Sequence, residues 1–139
     1  MSKDDTNRLI NHCLTFAKTM VESRGEFFPF AATIAPGGAM NQLQPGFFTD
    51  ESPETWRGML ESMVKASIMK DGACAAVLCF NGRVTPHGEA SPQNAILMDV
   101  EDSDGESFQF VQPYKKKTLL KGYVYGKTLF QRLEPKLFR

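Results

Sequence analysis

Cys79 and His87 have the residue types of a thiol nucleophile and its general base. A reactive thiol needs an electropositive, partly exposed setting. Cys79 instead sits near the end of the apolar run Ala73–Phe80 (ACAAVLCF), which predicts a buried and inert sulfur. His87 follows eight residues later, past a turn signal, and no third group is placed to orient it. His12 adjoins Cys13, so on a helix the two side chains diverge and cannot chelate together. Two histidines without a Cys-x-x-Cys argue against a zinc site. The sequence thus assigns no catalytic residue, no cofactor and no metal.

The acids Asp99, Glu101, Asp102, Asp104 and Glu106 crowd a turn of calcium-binding flavour. The stretch is too short for a helix-loop-helix site, and Asp and Gly are expected in any hairpin turn. Asp99 and Glu101 share one strand face, where lysines are natural cross-strand partners. The glycine pairs Gly37-Gly38 and Gly122/Gly126 fall in a hairpin and a strand. A phosphate loop needs its glycines between a strand and a helix. Lys115, Lys116 and Lys117, with Lys121, Lys127, Tyr123 and Tyr125, form the one nucleic-acid-like element, since lysines attract phosphates and tyrosines stack on bases. A sequence pI of about 6.7 argues against a dedicated binder.

Charge is unevenly divided. The last 26 residues hold eight of the 16 Lys and Arg but one acid, Glu134; the first 113 hold eight bases against 15 acids. The net zero is therefore about −7 in front and +7 behind. That asymmetry suits a basic arm for an anionic partner, or a basic strand beside acidic neighbours in one subunit or its mate. The stretch from Lys115 to Phe130 carries Leu119, Leu120, Tyr123, Val124, Tyr125, Leu129 and Phe130, which favours the strand. The basic segment Lys115–Lys127 is expected to lie beside Asp99–Glu106, in the same subunit or its mate, and not to hang free.

The elements that hold these groups can be read from periodicity and turn signals. Leu9, Cys13, Phe16, Ala17 and Met20 predict an amphipathic helix over about 5–23, stopped at Gly25. EFFPFAATIA (26–35) predicts a strand, at an edge, beginning or bulged at Pro29, with Pro36-Gly37-Gly38 turning it into a partner within 39–48. Ser52-Pro53-Glu54 opens a second helix over about 53–70, and Asp71-Gly72 stops it. Ala73–Phe80 reads as a central strand covered on both faces. Asn81-Gly82 predicts a tight hairpin turn with Arg83–Pro86 returning. Strands at 94–101 and 106–114 flank the turn at Asp102–Gly105. A last strand spans Leu119–Leu133, interrupted at Gly122 and Gly126, and a tail after Pro135 packs Leu137 or Phe138.

GEFFPFA (25–31) directly after the first helix, AAVLCFNGRV (75–84), AILMDVEDSDGESFQFVQPYKK (95–116) and LEPKLF (133–138) together resemble a family of small bacterial proteins of unknown function. Those proteins place an aromatic-Pro-Phe strand after an opening helix and end a later strand in Pro-Tyr followed by lysines. The resemblance spans most of the chain and implies a compact bacterial cytoplasmic domain. It brings no catalytic residues with it. The element order is also loosely like that of profilin-like and roadblock-like modules, an analogy of architecture alone.

The sequence thus predicts one α+β domain over 1–139, with two main helices and an antiparallel sheet of about five to six strands in the order helix-strand-strand-helix-strands. Three cysteines among apolar neighbours, no signal-peptide pattern and no apolar run of membrane-spanning length point to a cytoplasmic protein without membrane contact. The expected role is protein–protein interaction or regulation as a homodimer. Its candidate surface is an aromatic edge strand (Phe27, Phe28, Phe30), with Lys115, Lys116, Lys117, Tyr123 and Tyr125 as further candidates. The alternatives are nucleic-acid binding through the basic segment and a small-molecule enzyme with an unrecognised site; the balance of features leans against an enzyme.

Overall fold

Residues 3–45, 52–85, 88, 90–117 and 122–138 are described by a computed structural model. The first helix, α1 (Lys3–Arg24), buries Leu9, Cys13, Ala17 and Val21 completely, one residue per turn along a single face. Asp4 and Asp5 sit in its first turn, where carboxylates favour the helix dipole. It stops at Gly25, whose φ of 84° no β-branched residue tolerates and whose N–H donates to the Val21 carbonyl at 2.8 Å. Pro29 then stands outside the sheet, just before β1 (Phe30–Ile34), so its missing N–H removes no ladder bond. Gly37 and Gly38, both near φ +100°, turn β1 into β2 (Met40–Leu43).

The second helix, α2 (Pro53–Asp71), is capped as its sequence demands. The Ser52 hydroxyl accepts the Thr55 N–H at 3.2 Å, and left-handed Gly72 closes the last turn on the Ile68 carbonyl. The remaining strands are β3 (Ala75–Val84), β4 (Gln93–Asp102), β5 (Ser107–Lys116), β6 (Tyr123–Tyr125) and β7 (Leu129–Arg132). All pair antiparallel in one sheet, ordered β2-β1-β3-β4-β5. Both β6 and β7 lie on the outer side of β5, beside 114–116 and 108–111 respectively. They are the described part of the last strand expected over Leu119–Leu133, broken near Gly126, whose N–H donates to the Pro113 carbonyl; 119–121 fall outside the described residues. The fold is α+β, two helices on an antiparallel sheet.

Each sheet face has its own helix. Under α1 lie Phe30, Ile34, Val77, Cys79, Ile96, Met98, Val100, Phe110 and Tyr114. Under α2 lie Ala31, Ala76, Leu78 and Phe80 with Leu60, Val64 and Leu137. Residues 75–80 of β3 are buried without exception, as expected of a strand covered on both faces. Leu137 is the side chain that the tail packs, and Phe138 lies partly buried beside it.

Three expectations are corrected. Asn81-Gly82 is not a turn: β3 runs through it, with Asn81 opposite Ile96 and Gly82 opposite Ala95, and Gly82 has no positive φ. Tertiary contacts override the local preference. The Asn81 side chain accepts the Tyr114 hydroxyl at 2.7 Å, and a Cβ on Gly82 would lie 2.6 Å from Leu97 Cδ1. Arg83 and Val84 therefore continue β3 and do not return, and the chain reverses between Thr85 and Pro92; Pro86 falls outside the described residues. Gly82→Val should cost about 1–3 kcal/mol from overpacking against Leu97. In chemical denaturation, adding Leu97→Ala should recover part of that loss; an unshifted midpoint for the single variant would mean Leu97 yields freely.

The second correction concerns the aromatic strand. Because β1 lies between β2 and β3, it is no edge; Phe30 and Phe27 are buried, and Phe28 alone of the three is exposed, at 46%. The third concerns charge within the chain. Asp99 faces Gln109 and Glu101 faces Ser107, whereas Lys115 and Lys116 stand beyond the other end of β4, paired with β6. The six residue steps from Gln109 to Lys115 span about 20 Å, more than twice the screening length of about 8 Å at physiological salt. The described part of the basic segment does enter the sheet through β6, but not beside these acids of its own chain; residues 118–121 fall outside the described residues.

Candidate functional site

Among the described residues, the outermost strand of the sheet has a strand neighbour on one side only. Along β5, β7 pairs Val111 with Leu129, Phe110 with Phe130, Gln109 with Gln131 and Phe108 with Arg132. Leu133 N–H extends the ladder to the Ser107 carbonyl at 3.0 Å. In an antiparallel ladder, inward- and outward-directed backbone groups alternate by residue. Leu129, Gln131 and Leu133 therefore bond β5, and the N–H and C=O groups of Phe130 and Arg132 point away from the sheet. Every β7 residue is also exposed.

Five large apolar side chains are exposed among the described residues, and three line this edge: Val124 at 42%, Leu129 at 38% and Phe130 at 65%. Phe130 is nonetheless fixed in place. Its ring meets Phe110 edge-on at 5.1 Å and Phe108 at 5.9 Å. A groove of about 630 Å³ runs beside it, between Asp104–Phe108 and Phe130–Pro135. The sequence alone places Leu129 and Phe130 in a sheet and gives no sign that they form a surface.

The basic candidates sit farther along this side. Lys115, Lys116 and Lys117 are exposed at the end of β5; Lys121 lies outside the described residues. Tyr123 and Tyr125 are half-buried and committed. Both rings lean on Tyr114, at 6.0 and 6.5 Å, and the Tyr125 hydroxyl donates to Glu22 at 2.7 Å with Lys18 over its ring. Burial, followed by the Glu22 carboxylate, raises the Tyr125 pKa, and burial likewise raises that of Tyr114. These tyrosines are structural supports and not free stacking platforms.

On the α2 face, Asp99 is nearly buried and accepts from Arg57 and from Gln109 Nε2 at 3.0 Å. The Arg57 guanidinium also lies over the Phe80 ring, 4.5 Å from its centre. It borders a cleft of about 430 Å³ whose walls include Trp56, Phe80, Gly82 and Leu97. Glu101, 3% exposed, accepts the backbone N–H groups of Lys136, Leu137 and Phe138 at 2.7–2.9 Å. Lys136 adds an ion pair to Glu61 at 2.7 Å. Asp102 accepts from the N–H groups of Asp104 and Glu106 and so shapes the turn. These acids thus bind the fold's own groups. Among the described residues, no three His, Cys, Asp or Glu side chains are grouped to hold a metal ion.

Cys13, Cys74 and Cys79 are all unpaired and buried. Burial pushes the Cys13 thiol up to about 12 and raises those of Cys79 and Cys74. Cys79 therefore has the inert setting the sequence predicts; His87 lies outside the described residues. His12 is exposed and pairs with Gln42 at 3.2 Å. Thiol reagents should leave all three cysteines unmodified in the native protein and label all three in denaturant. Raised acid pKa values also set a pH dependence. The neutral thiols stabilise the fold fully below the ordinary value of 9.0, and that contribution is lost as pH climbs towards the folded values. Cys13 alone accounts for up to about 4 kcal/mol by pH 12. Thermal midpoints should fall steeply above pH 9; a flat profile to pH 11 would contradict this.

No helix among the described residues is long and apolar enough to cross a membrane. Compared with known proteins, the chain matches no family model, no curated protein and no solved structure.

Proposed function

We propose that the protein is a small interaction module that pairs with a second copy of itself through the β6–β7 edge of its sheet. One observation carries this reading: β7 offers outward backbone groups and two exposed apolar side chains on one short strand, with Phe130 held rigidly by Phe108 and Phe110. A free strand edge is a template for another strand, and natural proteins usually blunt such edges with lysine, proline or a bulge. Residues 129–132 contain none of the three, and Arg132 is their one charge. This reading keeps the homodimer expected from the sequence and proposes Leu129–Arg132 as its surface in place of Phe27–Phe30. Three unpaired buried thiols support a reducing cytoplasm as its location. The segment likeness supports a bacterial origin.

A four-residue edge is small. Interfaces below about 1,200 Å² are typically weak or transient, so the dissociation constant is expected at roughly micromolar or weaker. Sedimentation equilibrium from about 10 µM to 1 mM should show a concentration-dependent dimer. Phe130→Lys should abolish it, because an edge lysine resists pairing. A monomer across that range, or a dimer indifferent to Phe130→Lys, would sink the reading. The nucleic-acid alternative keeps its exposed lysines but loses its stacking platform, since Tyr123 and Tyr125 are occupied.

A further inference from the structure

From the alternation of the β7 backbone we infer the register of the pair: two β7 strands meet antiparallel about a two-fold axis that passes through Gln131, with Phe130 opposite Arg132 of the second copy. The inference rests on the edge-pairing reading and adds its geometry. A two-fold axis perpendicular to a continuous sheet keeps each face on its own side, and residues opposite one another point to the same face. A residue must therefore face one an even number of positions away. Four registers satisfy this within β7, and each places a different residue on the axis: Leu129, Phe130, Gln131 or Arg132.

Chemistry separates the four. With Arg132 on the axis, two guanidiniums oppose each other, and like charges directly opposite are unfavourable. With Leu129 or Phe130 on the axis, the outward groups of Arg132 must pair with residues before Leu129, outside the strand. With Gln131 on the axis, both outward residues of each copy, Phe130 and Arg132, exchange backbone bonds inside β7. The same register lays Arg132 of one copy beside the Phe130 ring of the other, a cation–π arrangement occurring twice. On the opposite face it sets Leu129 against Leu133, which continues the ladder on β5. No like charges meet. The occupant of this edge is thus a second copy of the chain, because the strand is complementary to itself.

Single-cysteine scanning of the full chain reads the register directly. The native cysteines are buried, so each of Leu129→Cys, Phe130→Cys, Gln131→Cys and Arg132→Cys adds one accessible thiol. Only an on-axis residue meets its own copy closely; one position off, the two copies stand on a diagonal at about 7–8 Å, beyond easy disulfide reach. Under mild oxidation at dimer-forming concentration, Gln131→Cys should cross-link about tenfold faster than the other three, a margin set by the same geometric limits. Gln131 is exposed, so its replacement leaves the fold intact. Faster cross-linking at one of the other three positions would overturn the register and leave edge pairing standing. Cross-linking at none of the four would overturn the register, and a wild-type dimer in sedimentation would then mean that the copies meet elsewhere.

Discussion

Replacing Glu101 with alanine should lower the unfolding free energy by about 2–4 kcal/mol, out of all proportion to a surface acid. The carboxylate is the partner of three backbone N–H groups at once, those of Lys136, Leu137 and Phe138. Losing the charged acceptor of a buried hydrogen bond costs about 1.5–3 kcal/mol, and the further donors add little because they reach water once the segment lifts. The released segment would also take Leu137 out of the cluster formed by Leu60, Val64 and Leu78. Burying a leucine is worth about 1.5–3 kcal/mol, and partial rehydration of the donors offsets some of the combined loss. Urea denaturation measures the change, and trypsin should begin to cut after Lys136 in the native variant. Glu101→Gln keeps one acceptor oxygen and should fall between. A shift of Glu101→Ala below about 0.5 kcal/mol, the range of ordinary surface substitutions, would show that the segment is held by something else.

Arg57→Met should be worse than the double variant Arg57→Met/Asp99→Leu. Asp99 is nearly buried, and Arg57 and Gln109 are the polar partners of its carboxylate. Losing the arginine strands a carboxylate in the α2 face; such one-sided removals cost about 3–5 kcal/mol when fully buried. Here the guanidinium is about one-third exposed, at 35%, so roughly 2–3 kcal/mol is expected. Replacing both ends leaves no charge to strand, and the pair of apolar side chains can pack over Phe80. The double variant should recover at least about 1 kcal/mol of the single loss. Strict additivity, with the double variant the least stable, would mean that solvent and not Arg57 compensates Asp99.

How much of this was legible in the sequence depends on how local each cause is. Ser52-Pro53, Gly25 and Gly72 announced the helix ends because capping is decided within four residues. Pro36-Gly37-Gly38 announced its hairpin for the same reason. Asn81-Gly82 carries an equally strong local signal, yet ten residues of β3 pair with β4 through it. There the ladder and the Tyr114 contact outweigh the turn preference. The aromatic strand is recognisable as a strand, but its place in the sheet is not, since strand order depends on which partners arrive later in the chain. The acids stand out in the sequence and their partners do not. Asp99 finds Arg57 from 42 residues away, and Glu101 finds Leu137 from 36. Nothing in the local pattern of Leu129–Arg132 distinguishes an outer strand from an inner one. That distinction, which carries the proposed function, appears only when β7 is seen to have β5 as its one strand neighbour among the described residues.

The central claim is that this edge pairs, and amide hydrogen exchange followed residue by residue at two protein concentrations tests it most directly. Leu129, Gln131 and Leu133 donate to β5 within the subunit, so their amides should be protected alike at about 10 µM and about 1 mM, concentrations that bracket the weak dimer expected of a small interface. Phe130 and Arg132 direct their amides outward. They should exchange freely in the dilute protein and become protected in the concentrated one, with Phe130→Lys removing the change. Free exchange of Phe130 and Arg132 at a concentration where sedimentation finds a dimer would contradict the account, because the two copies would then be joined without this strand.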